Sequence, residues 1–257
     1  MLSDWRVRNP SLRWPVDIPA ELRGARILDV TRRAKYLLIR FANDTLIIHL
    51  GMSGSLRICD PEDEYKTHDH VELRLGSGRA LRLNDPRRFG CVLHQPGDPM
   101  NHPLLANLGV EPLGNEFSGA YLKRAARGRR VAVKNLLMDG KVVVGVGNIY
   151  ASESLFMAGI RPGVAAGRVP GYAYDRLAQA VRQILGYAIE RGGTTLRDFL
   201  NPEGQPGYFA QELYVYGRTG ESCKRCSGVV KQVTLGQRST FYCPKCQPAQ
   251  GFRRASS

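Results

Sequence analysis

Four cysteines carry the plainest chemistry in the sequence. Cys223-Lys-Arg-Cys226 and Cys243-Pro-Lys-Cys246 are separated by 16 residues. Each C-x-x-C turn can place two thiolates on one tetrahedral ion, and a hairpin between the turns brings the pairs together. The intervening stretch has that form, since Val229–Val233 and Ser239–Tyr242 read as strands around a turn at Gly236. Two disulfides or a thioredoxin-like redox pair are the alternatives. Disulfides suit an exported protein, and the opening Met-Leu-Ser-Asp-Trp-Arg-Val-Arg lacks the apolar core of a signal peptide. The spacing therefore predicts one structural Zn2+ on Cys223, Cys226, Cys243 and Cys246, because four thiolates leave no open position for water. The ion is expected to hold this small segment folded. Cys59 and Cys91 are left over as small buried hydrophobes.

Other segments offer weaker signals. Val144-Gly145-Val146-Gly147-Asn148 precedes a helix, where free N–H groups and the positive dipole end suit a phosphate. Glycines before helices more often only turn the chain. Lys134, one helix earlier, could add a cation. Asp85-Pro86-Arg87-Arg88-Phe89-Gly90 sets two guanidinium groups and a ring on a loop. The bland reading is a surface ion pair and a core Phe; the functional one is a wedge, with Arg facing a base and Phe entering the stack. Gly51-Met52-Ser53-Gly54 puts an unbranched apolar side chain on a second loop after a strand, although a lone Met is more often core. In Thr67-His68-Asp69-His70 the two histidines alternate faces of an extended segment, so a phosphate contact by one of them is favoured over a metal pair.

The elements that must position these residues change character along the chain. Residues 26–31, 36–41, 45–50, 70–75 and 80–83 read as strands, with turns at 42–44 and 76–78. Short, closely spaced strands predict a sandwich or barrel. After about residue 110 the period becomes helical. Ser118 caps a helix that stops near Gly128, residues 131–138 and 148–157 form two short helices, and Leu177, Val181, Ile184, Leu185 and Ala188 share one face of a longer helix closed by Gly192-Gly193. Residues 200–210 read as a Gly- and Pro-rich linker and 251–257 as a frayed tail. The fold class is α+β, in three parts: a β-sandwich over 1–110, a helical domain over 111–205, and a linker with a zinc hairpin over 206–257.

Composition sets the partner class. The 257 residues carry 37 Lys and Arg against 23 Asp and Glu, a net charge of +14, with 43% hydrophobic residues, enough for a buried core. The first 110 residues contribute +3 and the remainder +11. A basic excess concentrated in this way points to a polyanion, nucleic acid first. An anionic membrane surface is the rival partner, but it calls for a basic amphipathic helix or a lysine cluster, and the excess here is mostly scattered Arg. No apolar run reaches the roughly 18 residues of a membrane span. A soluble cytosolic protein is expected.

Taken together, Arg33-Ala-Lys-Tyr-Leu-Leu38, His49-Leu-Gly-Met-Ser-Gly54, Asp85-Pro-Arg-Arg-Phe-Gly90, Gly145-Val-Gly-Asn-Ile-Tyr-Ala-Ser-Glu153, Gln237-Arg-Ser-Thr-Phe-Tyr-Cys243 and the zinc cysteines resemble the bacterial formamidopyrimidine-DNA glycosylase family. The motifs are ordered and spaced as in that family from about Leu12 to Gln247. The related endonuclease VIII branch shares the helical and zinc parts and is not expected to show the Met-Ser-Gly and Pro-Arg-Arg-Phe-Gly stretches in this form. The resemblance implies a helix–two-turn–helix domain and a base-excision-repair enzyme. That enzyme removes oxidised purines, 8-oxoguanine and formamidopyrimidines, from double-stranded DNA, with β- and δ-elimination at the abasic site. It implies that Lys35 is a general acid/base and that Arg238, at the tip of the zinc hairpin, contacts phosphate and serves δ-elimination. Met52, Arg87 and Phe89 fill the gap left by the flipped base, with Arg87 facing the orphaned partner. His68, Arg87 and Arg129 contact DNA, and Lys134 and Asn148 hold phosphates. A monomer acting in the bacterial cytoplasm at the nucleoid is implied as well.

One feature departs from the family. Its members begin Met-Pro-Glu, and after Met removal the proline amine attacks C1′ of the damaged nucleoside while the glutamate assists proton transfer. This sequence has Leu2 and Ser3 there, and Pro10 has its nitrogen in a peptide bond. Roughly 20 residues of the family's start are expected to be absent. Either the start is assigned too far downstream and the true protein is a normal glycosylase/lyase, or the chain is a catalytically impaired binder of damaged DNA. The intact motifs elsewhere favour the first. For the chain as written, loss of efficient base excision is expected, with Lys35 or the N-terminal amine left to form a slow imine at an abasic site. A zinc-ribbon module of another kind, for RNA or transcription, would leave the β-rich half and its wedge loop unexplained.

Overall fold

The computed structural model describes residues 1–9, 12, 14–191, 213–250 and 252. They fall into two compact units, one built from residues 1–107 and one from residue 108 onward. The proposed linker, the closing Gly192-Gly193 and all of the tail except Phe252 lie outside the described residues.

The first unit consists of two four-stranded antiparallel sheets. Its strands are β1 (Leu2–Val7), β2 (Asp29–Arg33), β3 (Tyr36–Arg40), β4 (Asp44–His49), β5 (Ser55–Cys59), β6 (Asp69–Leu75), β7 (Ala80–Asn84) and β8 (Cys91–Pro96), followed by a single helical turn, α1 (Pro103–Ala106). One sheet has the order β1-β6-β7-β5 and the other β2-β3-β4-β8. Leu2, Val71, Leu73 and Leu83 from one sheet and Ile39, Leu46, Ile48 and Val92 from the other fill a common core. That is the alternation expected of a sandwich, with one face of each sheet buried against the other. Strands β1, β5 and β8 are absent from the sequence-based expectation. β5 has little burial of its own, and β8 follows a loop motif that draws attention away from its apolar start.

The outer face of the first sheet carries buried charge. Arg82 and Glu72 face each other across β7 and β6, both fully buried, with Nε to Oε2 at 2.6 Å. The β5–β6 loop closes over them. Arg82 donates to the carbonyls of Asp60, Pro61, Asp63 and Glu64, and the Tyr65 ring lies between the guanidinium groups of Arg8 and Arg82. The covering loop and these carbonyls compensate the desolvation of the arginine.

The second unit is helical, with α2 (Gly119–Ala126), α3 (Val133–Leu137), α4 (Asn148–Met157) and α5 (Gly171–Glu190), then the hairpin β9 (Lys231–Leu235) and β10 (Arg238–Tyr242). Ser118 Oγ accepts from Tyr121 N at 3.1 Å, as its place before α2 predicts. The α5 stripe of Leu177, Val181 and Leu185 packs with Leu122, Val133, Leu136 and Leu155. α3 is shorter than the predicted 131–138 because Val131 lies in a bend and Ala132, with φ -56° and ψ 138°, bridges to Ala165. Among the described residues no helix is long and apolar enough to cross a membrane.

Candidate nucleic-acid interface

In the first unit the two loops suspected of forming a wedge lie against each other. The loop after β4 leaves Met52 65% exposed, while Ser53 and Gly54 are buried. The β7–β8 loop exposes Arg87, Arg88 and Phe89, with the Arg87 guanidinium 5.1 Å from the centroid of the Phe89 ring. Gly51 has φ +66°, and a Cβ on it would fall 2.7 Å from the Phe89 carbonyl carbon. Only glycine allows that approach, so the main chains of the two loops touch directly. A core Phe at position 89 does not hold, since its ring is 40% exposed.

The His-Asp-His segment divides its roles. His70 is buried and its Nε2 lies 2.8 Å from the Asp85 carbonyl, which makes it a structural residue. His68 is half-buried, and its main-chain carbonyl accepts from Asp85 N at 3.0 Å. Asp69 is buried and accepts from Arg57 in a bidentate pair at 2.6 Å, from Asn84 and from Lys66 N. The candidate DNA ligand His68 therefore directly precedes two anchored residues.

Lys35 is exposed on the two-residue turn between β2 and β3. His49 is a site residue to which the sequence assigns no role, although it opens the His49–Gly54 motif. Its Nδ1 accepts from Gly51 N at 2.9 Å and its ring packs on Tyr36. Burial, and then the charge of Lys35, hold the imidazole below its usual pKa, so it is neutral at pH 7. The available signal was its position as the last residue of a buried strand, directly before the Gly-Met-Ser-Gly loop.

In the second unit Lys134, Asn148 and the zinc hairpin converge. Lys134 is completely buried. Its Nζ donates to Asn148 Oδ1, to Thr240 Oγ1 at 2.6 Å and to the Ser239 carbonyl at 3.2 Å. Asn148 Nδ2 donates to the same carbonyl at 2.9 Å. Burial, then the charge of Arg238, pull the Lys134 pKa down to about 8. Asn148 is the first residue of α4, with Gly147 as N-cap, so its neighbourhood carries free helix N–H groups as the glycine pattern predicts. Lys134 thus acts as a charge beneath Asn148 rather than as an exposed arm. Arg238 is exposed beside a tight turn in which Gly236 and Gln237 both have positive φ. Arg129 is exposed and pairs with Asp139 at 3.4 Å.

Glu153, also on α4, ends the Gly145–Glu153 motif without an expected role. It is buried, and its two carboxylate oxygens accept from the main-chain N–H groups of Tyr214, Val215 and Tyr216 at 2.8–2.9 Å. It fixes the stretch of chain that enters the zinc module.

The four cysteines form one cluster. Their sulfurs lie within 4.8 Å of one another, with Cys223 to Cys246 at 3.9 Å and Cys226 to Cys243 at 3.5 Å. A tetrahedral ion with metal–sulfur bonds of about 2.3 Å needs sulfurs about 3.8 Å apart. No pair is joined as a disulfide. The donor set fits zinc, which binds cysteine as the thiolate. Phe156, Val215, Val230 and Phe241 surround the cluster.

The sequence matches three family models in order. Residues 1–92 match the formamidopyrimidine-DNA glycosylase N-terminal domain, 108–200 the formamidopyrimidine-DNA glycosylase H2TH domain, and 220–249 a zinc finger found in FPG and IleRS. The chain is 57% identical over 243 residues to the formamidopyrimidine-DNA glycosylase of Thioalkalivibrio sulfidiphilus, covering 94% of this chain and 90% of that protein. It is 58% identical over 244 residues to that of Xanthomonas axonopodis pv. citri, with the same coverage. The crystal structure of the MutM (Fpg) protein from Thermus thermophilus superimposes with a TM-score of 0.85 at 37% identity, over 96% of this chain and 91% of that one. Lactococcus lactis Fpg in complex with DNA containing an abasic site gives 0.86 at 29% identity, over 96% and 92%.

Proposed function

Since the chain belongs to the formamidopyrimidine-DNA glycosylase family, we propose that it excises oxidised purines, 8-oxoguanine and formamidopyrimidines, from double-stranded DNA. It then cleaves the abasic strand by β- and δ-elimination. One structural Zn2+ on the four-thiolate cluster holds the module that carries Arg238. The observation that carries the reading is the wedge in the first unit: an exposed Met52 and an exposed Arg87–Phe89 pair on two loops in main-chain contact. Exposed apolar side chains on anchored loops suit insertion into a base stack and have no other evident role.

The roles follow from the surroundings of each side chain. Met52 and Phe89 occupy the gap left by an everted nucleotide, and Arg87 donates to the orphaned base opposite. Lys35 is the general acid/base, and its neighbour His49 is neutral, with Nδ1 taken up by the Gly51 N–H and Nε2–H left to donate a hydrogen bond. His68, Arg129, Asn148 and Arg238 contact phosphates, and the buried Lys134 supplies positive charge under Asn148. Arg238 also serves δ-elimination. These residues divide among three proposed parts, 1–110, 111–205 and 206–257. The protein acts as a monomer on DNA in the bacterial cytoplasm, at the nucleoid.

A duplex with 8-oxoguanine opposite cytosine tests the reading. Free 8-oxoguanine and a one-nucleotide gap with phosphates on both sides are expected, followed by mass spectrometry and denaturing gels. Tight binding to abasic duplex with neither base release nor scission would overturn excision in favour of a silent damaged-DNA binder.

A further inference from the structure

Asp85 is completely buried, although the four residues after it are exposed. Its carboxylate Oδ2 accepts from Gly90 N at 2.7 Å, at the far end of its own loop. Its Oδ1 lies 3.5 Å from Ser53 Oγ, on the loop that carries Met52. Its carbonyl accepts from Arg88 N and lies 2.8 Å from His70 Nε2, and its N–H donates to the His68 carbonyl. One residue therefore touches all three segments that bear candidate DNA ligands of this unit, 49–54, 66–70 and 85–90. The segments leave the sheets where the ladders end, at His49–Cys91, Ser55–Asn84 and Asp69–Asn84, and beyond those pairs no strand pairing joins them.

From this geometry we infer that Asp85 is a positioning residue that fixes the spacing between Met52 and the Arg87–Phe89 pair, so that the two loops enter DNA as one preformed wedge. The inference rests on the gap-filling reading of those three side chains. Exposed loop residues lose conformational freedom when they enter a base stack, and an interaction that orders them beforehand removes that cost from binding. The carboxylate is suited to this role because it closes the Arg87–Phe89 loop from within and reaches the neighbouring loop with its second oxygen. The tight main-chain approach of Gly51 to Phe89 leaves the loops no slack, so loss of the carboxylate tie is felt at both side chains.

The test uses a duplex with an uncleavable tetrahydrofuran abasic site opposite 2-aminopurine, whose fluorescence rises when its stacking is broken. Wild-type protein is expected to raise it. Asp85→Ala is expected to weaken the fluorescence-reporting complex on the order of tenfold, the worth of a buried hydrogen bond to a charged group, while affinity for undamaged duplex stays within a factor of two. Asp85→Asn keeps only a neutral acceptor for Gly90 N and is expected to weaken insertion about threefold, less than Asp85→Ala, as a neutral hydrogen bond replaces a charged one. Hydrogen exchange at the Gly90 amide is expected to quicken from wild type to Asn in parallel with any weakening. If Asp85→Ala does not fold, the Asn variant alone decides: faster Gly90 exchange with unchanged insertion overturns the proposal. Unchanged insertion in a folded Asp85→Ala also overturns it. No fluorescence change with wild-type protein would instead refute the gap-filling reading.

Discussion

Lys134 gives a pH dependence that can be worked out in advance. Its pKa of about 8 lies far below the ordinary lysine value because the ammonium is buried and Arg238 is close. Free protein therefore carries this charge below pH 8 and loses it above. A DNA phosphate bound over Asn148 restores it. At about 5 Å and an effective dielectric of about 20, one negative charge stabilises the ammonium by about 3 kcal/mol, or roughly two pKa units. The complex then keeps the proton to about pH 10, and binding above pH 8 takes up close to one proton. Affinity should be nearly flat below pH 7.5 and fall about tenfold between pH 7 and pH 9. Fluorescence anisotropy with an abasic duplex at constant ionic strength measures it. Lys134→Gln removes the titrating group, so its affinity should start lower at pH 7 and stay level to pH 9. Arg238→Ala should move the wild-type bend to higher pH, because it removes the second cause of the depression. A wild-type profile that is flat to pH 9, or an equal slope in Lys134→Gln, would refute the placement of this charge under a phosphate.

Three further outcomes are expected. Glu72→Leu should cost about 3–5 kcal/mol in urea unfolding, because it leaves the buried Arg82 without its carboxylate, and Arg82→Met should cost less, because Glu72 keeps Arg74 at 2.9 Å. The double replacement should cost less than either single change, and a fully additive loss would argue against a coupled pair. Glu153→Ala removes the acceptor of three main-chain N–H groups, of which the buried Val215 N–H is left stranded at about 1–3 kcal/mol. Amide exchange at Tyr214, Val215 and Tyr216 should quicken markedly while zinc content stays at one per chain. Cys243→Ala should abolish zinc binding and the amide protection of β9 and β10. Wild-type protein with clearly less than one zinc per chain would contradict the four-thiolate site.

How much was legible depended on the range of the interaction. The zinc ligands, the Ser118 cap and the Gly147–Asn148 helix start were readable because each rests on residues a few positions apart, where the chain's own geometry sets the outcome. β6, with its clean alternation, and β4, an apolar run after a short turn, were readable for the same reason. β1 was missed because its six residues show little alternation and become a strand only through pairing with β6, some 70 residues away. The loop residues Met52, Arg87 and Phe89 stood out by type, but the sequence favoured core packing for the Met and offered it for the Phe.

By itself the amino-acid sequence determined the family, the α+β class, the zinc centre and the side of the chain that carries the positive charge. Those follow from residue types at short, fixed spacings and from simple counting. Only the tertiary structure decided which charged residues are buried and what they hold. Arg82, Glu72, Asp85, Lys134 and Glu153 belong to types that composition assigns to the surface. Each is buried because partners 5 to 106 positions away supply the hydrogen bonds that replace water. Folding alone creates such a partner set, and with it the neutral His49, the depressed Lys134 and the fixed spacing of the two loops.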